Sequence, residues 1–170
     1  MTVQASNLFH SDKRALGTLV GVGIVAGVIS GLVKSGVETL LPPRLPTAVP
    51  PPIELLNMMG FDAATMNYVF NQTSVNWGGN GVHILFSIVI AVVYVWLAER
   101  CSKIALAWGV PFGWITATIG AHCIVLPLLG AEPPLWDTGT AAVISEVVGT
   151  AIWIWTIECV RRALLGRVKG

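Results

Sequence analysis

A chain of 170 residues that is 54% hydrophobic and 11% charged, with a mean hydropathy of +0.73, has less than half of the roughly 25% charged content of ordinary soluble domains. A formal net charge of +1 and the lack of any basic run exclude phosphate tracking, and with it nucleic-acid binding. The three cysteines, Cys101, Cys123 and Cys159, are far apart and have neither CxxC nor metal-finger spacing, so they read as isolated thiols.

Four stretches meet the length of about 20 mostly apolar residues that a spanning helix needs. They are residues 15–41, 82–98, 105–130 and 141–160. The first follows Lys13 and Arg14, as a secretory leader would. Its apolar core from Ala15 to Val33 outruns the roughly 7 to 15 residues of a leader's hydrophobic region, which predicts a retained helix. The fold expected is therefore all-α: one integral membrane domain over residues 1–170, built as a four-helix transmembrane bundle.

Lys13, Arg14, Arg100, Lys103, Arg161, Arg162, Arg167 and Lys169 all fall on one side of such a chain. The other side carries Arg44 among Glu54, Asp62, Glu132 and Asp137. The positive-inside rule then predicts both termini in the cytoplasm.

Between the first two spans lies an outer segment, about residues 42–81, that opens with PPRLPTAVPPP. Proline on this scale prevents helix continuation and favours an extended path. IELLNMMGF and DAATMNYVF then carry enough apolar residues for two short outer-face helices, with Asp62 as N-cap of the second. These helices are expected on the membrane surface or across the bundle. The second outer connection, GAEPPLWDTGT, places another double proline, Pro133 and Pro134, beside acidic residues. Trp77, Trp108, Trp136, Trp153 and Trp155 read as an interfacial aromatic belt.

Polar residues within the spans form a pattern. At about 100° per residue, Gly23, Gly27, Gly31, Lys34 and Glu38 fall on one stripe of the first helix. The small-xxx-small spacing of GIVAGVISG makes this a packing stripe that faces protein and not lipid. His83, Ser87 and Tyr94 share a face of the second helix, Thr118 and His122 are one turn apart on the third, and Glu146 aligns with Thr150 and Trp153 on the fourth. Alternating helix directions put Lys34, Glu38, His83, His122 and Glu146 in the outer half, where they are expected to converge as one cluster. A charge at the bilayer centre costs about 2.5 to 3.5 kcal/mol on insertion scales, so these groups are expected to pair. Glu158, with Arg161 and Arg162 one turn on, reads as a pair reaching for the inner interface.

The segments GIVAGVISGLVKSGVETLLPPRLP, NWGGNGVHILFSIVIAVVY, PLLGAEPPLWD and SEVVGTAIWIWTIECVRR resemble the YagU-like inner membrane proteins of bacteria. The likeness spans all four predicted helices; the outer loop is the part it does not reach. It implies an inner membrane protein linked to survival of acid stress, and no family mechanism comes with it. The motif residues it marks are Lys34, Glu38, Pro42, Pro43, Arg44, His83, Pro133, Pro134, Asp137, Ser145 and Glu146.

Three readings of the cluster stay open. It can fix helix register as a buried ionic network, respond to protons or serve transport, or hold a metal. The residue types suit a metal but no HExxH-like spacing supports one, and no cofactor is expected. Nucleophile elbows, P-loops and dinucleotide loops are missing from the sequence, which argues against an enzyme. The leading expectation is a proton-responsive membrane protein in the lipid bilayer, with a homo-oligomer or larger membrane complex as its assembly. The rival is a non-catalytic accessory subunit docked on a larger complex through the glycine stripe and the outer helices.

Overall fold

The computed structural model describes residues 14–41 and 49–166. Pro42, Pro43 and Arg44, and with them most of the proline-rich opening of the outer segment, lie outside the described residues. Helix α1 runs Leu16–Glu38, α3 runs Trp77–Ala98 and α6 runs Thr140–Leu165. A third spanning segment covers Ser102–Leu129, and all four are long and apolar enough to cross a membrane. In hydrocarbon every backbone group must be satisfied within its own helix, so even the glycine-rich α1 stays helical where water would fray it. Ile24, Val25, Leu32, Leu85, Val89, Val93, Ile115 and Ile119 point outward from the bundle. The protein is an integral membrane four-helix bundle.

The glycine stripe of α1 is covered by α3 of the same chain. A Cβ on Gly27 would lie 2.4 Å from Ile88 Cα, and one on Gly23 would lie 2.5 Å from Val92 Cα. Only glycine lets the two backbones come this close. The stripe is thus covered within the chain, which corrects the expectation that an accessory subunit would dock through it. Beyond it, Leu19, Val22, Ala26, Ala91, Tyr94, Val95, Ile154 and Ile157 form the dry centre of the bundle.

The outer segment differs from the two expected helices. The first is present as α2, Pro51–Met58, with prolines in its first turn, where the missing N–H is tolerated. The second is a single 3-10 turn, Ala63–Thr65, and Asp62 makes no side-chain cap to it. The chain then forms a hairpin of β1, Asn67–Phe70, and β2, Thr73–Asn76, with Phe70 opposite Thr73. Asn71 and Gln72 take positive φ at the tip, the two-residue turn whose twist matches antiparallel strands. Val69 and the aromatic Tyr68 and Phe70 favour strand over helix.

Helix α3 starts five residues before the predicted Val82, because the Asn76 side chain accepts from Gly79 N at 2.7 Å and caps it. Gly78 and Gly79 seat α2 and the turn after it against the start of α3: a Cβ on Gly78 would meet Met66 Sδ at 2.5 Å, and one on Gly79 would meet Ile53 at 2.9 Å.

The third span is not one α-helix over 105–130. Ala107, Trp108 and Gly109 are all left-handed, so the membrane helix begins with α4, Val110–Gly113, which puts Pro111 in a first turn. Trp114–Val125 is π-helical, with bonds from i to i+5, and α5, Leu126–Leu129, completes the span. The 3-10 turn Leu135–Asp137 leads into α6, which runs five residues past the predicted end at Val160, with Arg161 and Arg162 inside the helix.

Candidate functional site

At the end of the bundle nearest the hairpin, ionisable side chains form a row, basic and acidic types alternating. Lys34 Nζ lies 3.3 Å from Glu146 Oε2 and 3.7 Å from Glu38 Oε1. Nε2 of His122 is 3.4 Å from the same Glu146 oxygen, and its Nδ1 is 3.2 Å from both oxygens of Glu132. The hydroxyl of Thr150, one turn on from Glu146, donates to Glu146 Oε1. The order Glu38, Lys34, Glu146, His122, Glu132 thus links α1, α6, the π-helical segment and the turn after α5. Side-chain exposure falls from 38% at Glu38 to 8% at Lys34 and 1% at Glu146, then 12% at His122 and 8% at Glu132. The row runs from the surface into the interior.

A cavity of about 640 Å³ lies against this row. Its walls include Lys34, Glu38, His83, His122, Glu146 and Trp153, and the start of α2 and the base of the hairpin close part of it. His83 therefore shares the cavity, as does Ser145 beside Glu146. Such a volume lies within the range of small-molecule sites. Among the described residues, no three His, Cys, Asp or Glu groups are placed to hold a metal ion.

Glu132 was not among the expected cluster residues. It enters because α5 ends in a Schellman turn: Gly130, at φ 73°, donates to Pro127 O, and Ala131 donates to Leu126 O. The reversal carries Glu132 back over the helix end. The signal was present in sequence as leucine, glycine and then Glu-Pro-Pro, where Pro133 and Pro134 prevent the helix from resuming. Asp137 sits exposed at the end of the following turn.

Two more residues depart from expectation. Trp153 belongs not to an interfacial belt but to the core, 1% exposed, with its Nε1 donating to Ser87 Oγ at 2.8 Å and its ring 5.8 Å from Lys34 Nζ. Trp77, Trp108, Trp136 and Trp155 do face outward.

Glu158 is not a surface pair either. Both Glu158 and Arg161 are completely buried, at the end of the bundle opposite the hairpin. Glu158 accepts from Arg161 Nε at 2.7 Å, from Arg161 Nη2 at 2.9 Å, from Arg162 Nε, and from the Tyr94 hydroxyl at 2.8 Å. Arg161 Nη1 also donates to Glu99 Oε1 at 2.7 Å, and Arg14 Nε lies 3.2 Å from Glu99 Oε2. Helix spacing shows the i,i+3 and i,i+4 pairs; Tyr94 on α3, Glu99 just after it and Arg14 ahead of α1 join them only in three dimensions.

Comparison with known proteins places these features in a family. A family profile described as "Protein of unknown function (DUF1440)" matches residues 28–159. The chain is 40% identical over 120 residues to "Inner membrane protein YagU" of Escherichia coli (strain K12), an alignment covering 70% of this chain and 58% of that protein. The match therefore spans little more than half of the relative's length. No solved structure matches the chain. With four spanning helices and a family profile covering most of its length, the chain belongs to the DUF1440, YagU-like family of multi-pass membrane proteins.

Proposed function

We propose that this chain works in the bacterial inner membrane as a non-enzymatic, acid-responsive protein, and that its row of Glu38, Lys34, Glu146, His122 and Glu132 takes up protons from the periplasm. The orientation proposed puts the hairpin outside and both termini in the cytoplasm, in accord with the clustering of Arg and Lys at the opposite end. One observation carries the reading: His122 presents each ring nitrogen to a different carboxylate. A neutral imidazole has a single N–H to donate, whereas an imidazolium donates from both nitrogens. The His122 site is complete only when it holds one proton more than a neutral imidazole between two carboxylates. Among the described residues the row joins three carboxylates, one lysine and one imidazole through direct contacts. The cavity beside it offers a route for water, and Glu38 at the surface offers the entry.

Proteoliposome proton flux at an outer pH of about 5, within the range where histidine and carboxylate chemistry responds, tests the proposal together with acid survival of cells. Glu146→Gln and His122→Gln are expected to abolish the acid response while keeping insertion and folding. Unchanged flux and survival in stable variants would overturn it.

A second reading, that of an accessory subunit in a larger complex, is favoured by the hairpin alone. Val69 and Phe70 are 77% and 70% exposed at its tip, an apolar edge suited to a partner. A stoichiometric partner that co-purifies and is lost on Phe70→Ser would support this reading over the first.

A further inference from the structure

The two ends of the bundle are built differently. The hairpin end is hollow and lined with charge, whereas the other end is closed by the network around Arg161. Glu146 and Glu158 lie on the same helix, twelve residues or about 18 Å apart along its axis. Between their levels the bundle is dry, with Ala26, Ala91 and Ile154 all at 0% exposure. Resting on the reading of the hairpin-end row as a functional site, we infer that the Tyr94, Glu99, Glu158 and Arg161 network is a gate, shut in this structure, that separates the charged cavity from the opposite face of the membrane.

The contacts are those a gate needs. Arg161 is the hub, joining α6 to Glu99 just beyond α3, and Glu99 passes the link to Arg14 ahead of α1. Arg14 Nη2 also donates to Leu165 O, which ties the beginning of α1 to the end of α6. From the remaining side, Arg162 lies over the Trp108 ring at 3.9 Å, and Gly109 is pressed against Tyr94, where a Cβ would fall 2.5 Å from the hydroxyl oxygen. All four spanning segments thus meet at this network, three through hydrogen bonds or ion pairs and the third span through the Trp108 and Gly109 contacts. These bonds are polar and directional, so they have discrete made and broken states, unlike the apolar layer above them. Glu99 is the member nearest water, with its side chain 16% exposed, and is where opening would begin.

The test reads which face of the membrane reaches the cavity. In a chain carrying Cys101→Ser, Cys123→Ser and Cys159→Ser, a single cysteine is placed at Ala121, which lines the cavity. It is then labelled with a membrane-impermeant maleimide in right-side-out and in inverted vesicles. With the network intact, labelling is expected from the hairpin side only. Glu99→Gln, and separately the volume-conserving Tyr94→Phe, are expected to raise the rate from the opposite side by about tenfold, the factor that follows from losing a hydrogen bond to a charged group. The hairpin-side rate reports that each variant is folded. If either variant keeps the hairpin-side rate and both leave the opposite side unlabelled, the network is a structural clamp and the gate is overturned; equal labelling from both faces in the unaltered network overturns it too. Labelling requires neither flux nor protonation, so this result stands apart from the flux measurement: loss of the gate leaves the proton reading in place, and failed flux with gated labelling rejects the proton reading alone.

Discussion

Lys34 on α1 and Glu146 on α6 face each other at 3.3 Å, 112 residues apart in sequence, with side chains 8% and 1% exposed. Neither charge has bulk water to fall back on. Removing one member of a buried pair costs about 3 to 5 kcal/mol where the other is left uncompensated, whereas replacing both by apolar groups of similar volume is often close to neutral. Lys34→Met is therefore expected to lower stability in detergent by about 3 kcal/mol, and Lys34→Met with Glu146→Leu to regain most of it. Thermal melts of the purified single and double variants check this. A double variant as unstable as the single would mean that the loss in Lys34→Met does not come from the carboxylate left on Glu146.

Close helix approach gives a second expectation. Gly27→Ala puts a methyl 2.4 Å from Ile88 Cα, where backbone cannot yield, and is expected to cost about 1 to 3 kcal/mol as overpacking. Gly21 and Gly36 belong to the same helix and have nothing within 4 Å of a new Cβ. Gly21→Ala and Gly36→Ala should be neutral or stabilise by up to about 1 kcal/mol through helix propensity. Melting temperatures of the three variants in one detergent separate the cases.

At the opposite end, Tyr94→Phe removes one of the hydrogen bonds accepted by Glu158 and leaves those from Arg161 and Arg162. The expected loss is about 1.5 kcal/mol, the low end for a bond to a charged group, because the carboxylate stays satisfied. Arg161→Met should cost about 3 kcal/mol or more, since it removes a buried cation from Glu158 and Glu99 together. Unfolding in denaturant, with the two variants compared in one lipid or detergent, is the measurement.

His122 and Glu132 should be energetically coupled. His122→Gln and Glu132→Gln break the same contact, so the double variant is expected to lose less than the sum of the two single losses. The coupling should be on the order of 1 kcal/mol, as for directly bonded pairs. Additive losses in a double-mutant cycle would show that the contact contributes nothing.

Four spanning segments and the convergence of Lys34, Glu38, His122 and Glu146 towards one end were legible because bilayer thickness and helix period act on composition alone. The glycine stripe was legible as a packing surface for a similar reason, since residue size and spacing are local properties. Its partner was not: nothing in GIVAGVISG says whether α3 or another chain will fill it.

What tertiary structure decided lies where the chain leaves regular α-helix or where distant residues meet. DAATMNYVF was apolar enough for a helix, yet the two-residue turn at Asn71 and Gln72 and pairing with Thr73–Asn76 made it a hairpin. The Schellman reversal at Gly130 delivered Glu132 to His122, and the π geometry of Trp114–Val125 set the face on which His122 lies. Glu158 and Arg161 showed their mutual spacing in sequence, but only the packed bundle joined them to Tyr94, Glu99 and Arg14 and buried them. Local sequence specifies helices and their polar faces because hydrogen bonding and hydrophobic period are short-range. Which charges become partners depends on how far helices approach and where turns return the chain, and those are properties of the whole fold.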